Sequence, residues 1–257
     1  MALREPSVTP LSPWLIRWEI VAVFAVSLGA SALNAFLSLV GSLLAPKPLG
    51  KQQALLVGSQ ANNHWLDLTL QLTSVAEGLA PVLLVLYLLV RSGQSPSDIG
   101  FDASEPARDG ARGAVLAAVI GGAGLGLIIL AFKHGANLNV VPESLPAIWW
   151  RIPVLALFAI QNGVLEETIM LGYLLTRLDQ LEVRPWLAVA ISALIRGSYH
   201  LYQGFGSFLG NAVMGAIFGV LFRRWRRVMP FVIAHSLIDA GAFIGYTLLH
   251  GHVSWLP

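Results

Sequence analysis

The chain has 257 residues, 56% of them hydrophobic and only 12% charged, with a formal net charge of +2 and a mean hydropathy of +0.69, which excludes a water-soluble globule and indicates a bilayer protein. It contains no cysteine, so disulfides, thiolate metal sites and a cysteine nucleophile are excluded together. A pI near 9.2 in so apolar a chain reflects Lys and Arg gathered at a membrane face rather than affinity for nucleic acid, and no nucleic-acid partner is expected.

Met1 to Pro13 lack the short apolar stretch and small-residue cleavage site of a secretory signal, so the first hydrophobic run is read as a retained span. Seven apolar runs of about 20 residues, the length a helix needs to cross hydrocarbon, follow in order. They are Ile20 to Ala45, Leu68 to Val90, Gly113 to Phe132, Ile152 to Leu175, Pro185 to Tyr202, Phe205 to Phe222 and Val228 to Leu249, with Gln203 and Gly204 as a tight turn between the fifth and sixth. The expected fold is an all-α, polytopic integral membrane bundle of about seven transmembrane helices, or eight if the stretch Gly50 to His64 re-enters the bilayer. The polar loop Ser92 to Asp109 divides N-terminal helices and loop (1–110) from a C-terminal core (111–257) within a single membrane domain.

Basic residues test the map, because they are retained on the cytoplasmic side. Alternate loops collect eleven, Arg4, Arg17, Arg91, Arg108, Arg112, Arg177, Arg184, Arg223, Arg224, Arg226 and Arg227, against four, Lys47, Lys51, Lys133 and Arg151. The split predicts a cytoplasmic N terminus, an external C terminus and residence in the cell membrane. Trp149, Trp150, Trp186 and Trp225 stand near span ends, where an aromatic belt belongs. Gly122/Gly126, Gly206/Gly210 and Gly215/Gly219 have the small-xxx-small spacing of close helix packing.

The ionisable groups inside spans carry the functional information. The third and sixth runs have none. The fourth holds Glu166 and Glu167, the fifth Arg196 and His200, the seventh His235 and Asp239. Each would cost roughly 2.5–3.5 kcal/mol at the bilayer centre on insertion scales, so they must pair, neutralise or face an internal cavity, and each outcome gathers them inside the bundle. Arg196 and His200 are four residues apart, as are His235 and Asp239, which puts each pair on one helical face. Glu166 and Glu167 lie about 100° apart around their axis and must differ in role. Glu77, alone in the second span, reads as an interhelical or cavity-lining group. A carboxylate beside two imidazoles can activate water and steady an oxyanion, and no H-E-x-x-H or G-x-S-x-G motif offers a competing chemistry.

The stretch Glu166-Glu167-Thr168-Ile169-Met170-Leu171-Gly172-Tyr173-Leu174 resembles the E-E-x-x-x-R-G-Y-L motif of the CPBP intramembrane proteases, which include CAAX prenyl protease 2 and the Abi-type bacteriocin-processing or immunity proteins. His200 matches the second motif, F-x-x-x-H, and His235 with Asp239 the third, H-x-x-x-N/D, in the same order, over roughly Ile152 to Tyr246. The resemblance implies an intramembrane endopeptidase in which Glu166 and His200 activate water while His235 and Asp239 stabilise the oxyanion. Its partners would be the lipid bilayer and a membrane-anchored protein or peptide substrate. Family members have been described as metalloproteases and as glutamate enzymes; Glu166, His200 and His235 would be the zinc ligands under the first description, and zinc is the one cofactor weighed.

Two positions depart from the pattern. Leu171 replaces the arginine of the first motif, and Arg196 replaces the Phe of the second. Arg196 is expected to substitute for the missing guanidinium and pair with Glu167. Two other functions fit the same residues: a catalytically silent immunity or scaffold protein, and a proton-coupled transporter.

Overall fold

The structure, a computed structural model, describes residues 11–253. The readings for residues 1–10, Arg4 among them, lie outside these. The helices are α1 (Pro13–Ala25), α2 (Leu28–Leu44), α3 (His64–Arg91), α4 (Pro106–Lys133), α5 (Arg151–Gln180), α6 (Pro185–Ser198), α7 (Phe205–Trp225) and α8 (Met229–Leu249). Five of them are long and apolar enough to cross a bilayer, or six if α1 and α2, bent by 52° at their junction, form one span. The all-α membrane bundle is therefore present, with fewer full-length spans than the seven apolar runs suggest.

The difference lies in α6. Its 14 residues rise only about 21 Å, less than the roughly 30 Å of hydrocarbon. The helix stops at Ser198 and gives way to a turn that ends at Gly204, whose φ of 117° is open to glycine and strained for other residues. Apolar side chains continue through Tyr202, so hydropathy cannot register the stop. The polar backbone of this turn is tolerated at membrane depth because protein surrounds it. Asn137, from the loop after α4, accepts at Oδ1 from the backbone N–H of Gly206 and Ser207 and donates to Ser207 Oγ, capping α7 from a distant segment.

The stretch Gly50 to His64 does not re-enter as a helix. It contains strand β1 (Gln53–Val57), which pairs in parallel with β2 (Asn139–Glu143), Gln53 opposite Asn139. Polar contacts sort into two ends of the bundle. At one end Arg177, fully buried, meets Glu19 at 2.7 Å, Ser92 Oγ and the Leu88 carbonyl, Arg227 joins Asp102 and Asp109, and Arg223 meets Asp179. At the other end are the strand pair, the Asn137 cap, and Glu143, which binds Arg151, the Leu145 N–H and Thr247. These contacts place the loops in the alternating order inferred from the basic residues, with α6 and its turn carrying the chain between ends.

Glycine spacing is realised at two of the three pairs. A Cβ on Gly215 would stand 3.0 Å from Arg196 Cδ, one on Gly219 3.1 Å from Val189, and one on Gly210 3.1 Å from Leu127, with Gly206 tight against Ala131. Gly122 and Gly126 face open space, and their spacing packs nothing. Trp149 and Trp186 are exposed as a belt requires, whereas Trp150 is 1% exposed and belongs to a core with Val154, Leu155 and Phe243. Glu77 is exposed on α3 rather than set between helices. The main core joins Val85 and Leu89 of α3 to Ile169, Met170 and Leu171 of α5, Phe218 and Phe222 of α7 and Phe231 of α8.

Replacing Arg177 by Met is expected to destabilise the protein by about 3–5 kcal/mol, because a carboxylate is stranded in the packed end of the bundle; thermal unfolding in detergent measures it. The Asp102 carboxyl is held down at about 2 by hydrogen bonds from Ser104 and Arg227. A depressed folded-state pKa contributes stability above the unfolded value near 4 and loses it as pH falls toward 2. Asp102→Asn should accordingly flatten the loss of melting temperature across that acid window.

Candidate active site

Glu166 and Glu167 occupy the turn of α5 just before residues Thr168–Tyr173, which form a π-helical stretch. Such wider turns interrupt the regular ladder and are frequent at functional sites. All six residues of this stretch are buried. Leu171, where the resembling motif has arginine, is 0% exposed in the apolar core.

Arg196 supplies the cation from α6. Its Nη2 donates to Glu167 Oε2 at 2.6 Å, both side chains being fully buried. The other oxygen of Glu167, Oε1, faces His235 Nδ1 at 2.7 Å. One buried carboxylate therefore ties α6 to α8 through α5. Gly215 on α7 makes room for the Arg196 stem, and the guanidinium lies 5.6 Å from the Phe218 ring centroid. Gly163, one turn before Glu167, lets α5 approach the Val232 carbonyl and Ser236 of α8.

Glu166 turns to a different side, as its angular position requires. Its Oε2 accepts from the Tyr199 hydroxyl at 2.6 Å and stands 4.0 Å from both Arg196 Nη1 and His235 Nδ1. His200 stands beside Tyr199, the residue that binds Glu166, with their ring centroids 4.8 Å apart. His200 does not share a helical face with Arg196, since α6 ends two residues earlier. It sits on the following turn with Nδ1 at 3.0 Å from the Arg196 carbonyl. His235 Nε2 is 3.6 Å from Asp239 Oδ1, one turn along α8, and Asp239 Oδ2 accepts from Asn162 Nδ2.

Tyr199 and Asn162 are absent from the sequence reading. Asn162 carried a usable signal, being a polar residue four before Glu166 on the same face of an apolar helix. Tyr199 carried none: beside His200 it reads as interfacial, and only the end of α6 swings it against Glu166.

A zinc ion on Glu166, His200 and His235 does not fit this arrangement. Among the described residues no three His, Asp or Glu side chains are placed to hold a metal. Glu167 is committed on both oxygens, and a guanidinium stands 4.0 Å from Glu166, where it disfavours a second cation. What the donor set can do chemically is general-base and electrostatic work. Glu166 can take a proton, His235 is fixed by the hydrogen bond at Nδ1, and its Nε2 remains directed at Asp239 and the region between.

Arg196→Leu leaves Glu167 buried without its cation and should cost about 3–5 kcal/mol. Pairing it with Glu167→Gln should recover part of that loss in detergent melting, a coupling that two independent sites would not show.

No curated protein and no solved structure matches the chain. A family model does: that of the type II CAAX prenyl endopeptidase Rce1-like family, over residues 148–241, which take in Glu166, Glu167, Arg196, His200, His235 and Asp239. Residues 148–241 of this integral membrane protein are thus similar to the Rce1-like family, over the stretch that carries the buried polar network.

Proposed function

We propose that the chain is an intramembrane endopeptidase that hydrolyses a peptide bond of a membrane-associated protein or peptide with a water activated by Glu166. The observation that supports this reading is that Glu166 and His235 stand 4.0 Å apart on two helices, beside the turn that bears Tyr199 and His200, in one buried network held by Glu167.

In this mechanism Glu166 accepts a proton from water, aided by His200, as the water oxygen attacks the amide carbon. The carbonyl electron pair moves onto oxygen. His235, acting as an imidazolium with Nδ1–H given to Glu167, donates Nε2–H to that oxyanion, and Glu167 balances the charge. Asp239, held by Asn162, orients the ring. The intermediate collapses with cleavage of the C–N bond, and the proton held by Glu166 passes to the leaving amine. Arg196, Tyr199 and Glu167 position these groups. The family match makes a farnesylated peptide ending in a C-a-a-X sequence the first substrate to test. We further infer a cell-membrane location with the arginine-rich end of the bundle, bearing Arg177, Arg223, Arg226 and Arg227, toward the cytoplasm.

Purified protein in liposomes should cleave such a peptide, and Glu166→Gln should lower kcat/KM by about 10²–10⁴-fold, the usual contribution of a general base. Equal cleavage by the two proteins would remove Glu166 from the chemistry. Binding of the peptide without cleavage by either would favour a silent scaffold.

A further inference from the structure

Beside the network lies an open groove of about 260 Å³, lined on one side by Ser31, Asn34, Ala35 and Ser38 of α2 and on the other by Tyr199 and Tyr202. Three features set it apart from an ordinary lipid-facing surface. Ser31, Asn34 and Ser38 recur along one exposed face of α2, and none makes a side-chain hydrogen bond among the described residues. Tyr199, in the opposite wall, donates to Glu166 at 2.6 Å, so one side chain separates the groove from the candidate base. Beyond it Arg196 Nη1, fully buried, has no hydrogen-bond partner and lies 4.0 Å from Glu166. The 52° bend before α2 carries that helix onto α6 and the turn of residues 201–203, while α3 packs on α5.

We propose that this groove receives an extended segment of the substrate polypeptide and delivers its scissile bond past Tyr199 to Glu166. The proposal rests on the peptidase reading and deepens it. An unwound backbone at membrane depth must find partners for its N–H and C=O groups. Ser31, Asn34 and Ser38 supply hydroxyl and amide donors and acceptors, which an acyl chain could not use. From residue 31 to residue 38 α2 rises about 10.5 Å, the span of about three extended residues. Tyr199 is a positioning residue: its hydroxyl holds Glu166 and stands where the arriving amide must pass.

The absence of cysteine makes a single-thiol test direct. Asn34→Cys and Phe36→Cys, the second on the opposite face of α2, are each combined with Glu166→Gln and placed in membrane vesicles. The probe is a charged, membrane-impermeant thiosulfonate, applied with and without a saturating farnesylated C-a-a-X peptide. The groove predicts that residue 34 reacts at least tenfold faster than residue 36 and that the peptide slows it at least fivefold. Tyr199→Phe should lower kcat with KM little changed. A residue 34 that reacts only with apolar reagents, or at the same rate with peptide present, overturns the proposal. Protection at residue 34 without cleavage by the unsubstituted protein keeps the groove and rejects the peptidase; cleavage without protection does the reverse.

Discussion

Glu167 has each carboxylate oxygen committed to a different partner, Arg196 on α6 and His235 on α8, and the arrangement of the site follows from that double commitment. An unpaired carboxylate in a low-dielectric interior is costly, and so is an unpaired guanidinium. Paired, they offset each other only when the geometry is close and the remaining oxygen is also satisfied. His235 satisfies it, which fixes the imidazole through Nδ1 and leaves Nε2 to face Asp239. The neighbouring Glu166, rotated around the helix, is thereby released from structural duty and is held only by Tyr199 and by longer-range cations. Two adjacent acids thus separate into one held at both oxygens by Arg196 and His235 and one hydrogen-bonded to Tyr199.

The backbone around this network is irregular where the candidate site sits. A π-helical stretch follows the two glutamates, and α6 breaks off short so that Tyr199 and His200 lie on a turn rather than a helix. Irregular backbone inside a membrane protein survives only when protein or internal water satisfies its polar groups. Here Asn137 and Gly204 anchor the far side of the turn, and the α6 terminus supplies the Arg196 carbonyl to His200. The exchange of the motif arginine for Leu171, with Arg196 arriving from another helix, keeps one cation beside Glu167 while the core around residue 171 becomes wholly apolar.

Much of this was legible in the residues themselves. The cost of charge in lipid forces Glu166, Glu167, Arg196, His200, His235 and Asp239 into one interior, and hydropathy marks the apolar runs. Four-residue spacing joins His235 to Asp239 as α8 indeed does. The same spacing misplaced His200, because periodicity assumes a helix that continues and hydropathy does not register where one stops. Trp150 and the Gly122/Gly126 pair misled for a related reason: side-chain type states a preference for interface or contact, and the neighbouring helices decide whether the contact exists.

Composition and the transfer energy of charged groups determined a membrane bundle and the six ionisable residues gathered in its second half, since both depend on side-chain chemistry alone. Which carboxylate oxygen meets which partner, that Tyr199 and Asn162 belong to the network, and that α2 faces Tyr199 and Tyr202 across a groove were decided by the tertiary structure. Those contacts join segments tens to hundreds of residues apart, and their ångström-scale geometry depends on the short α6, the 52° bend before α2 and the close approach of α5 to α8 at Gly163.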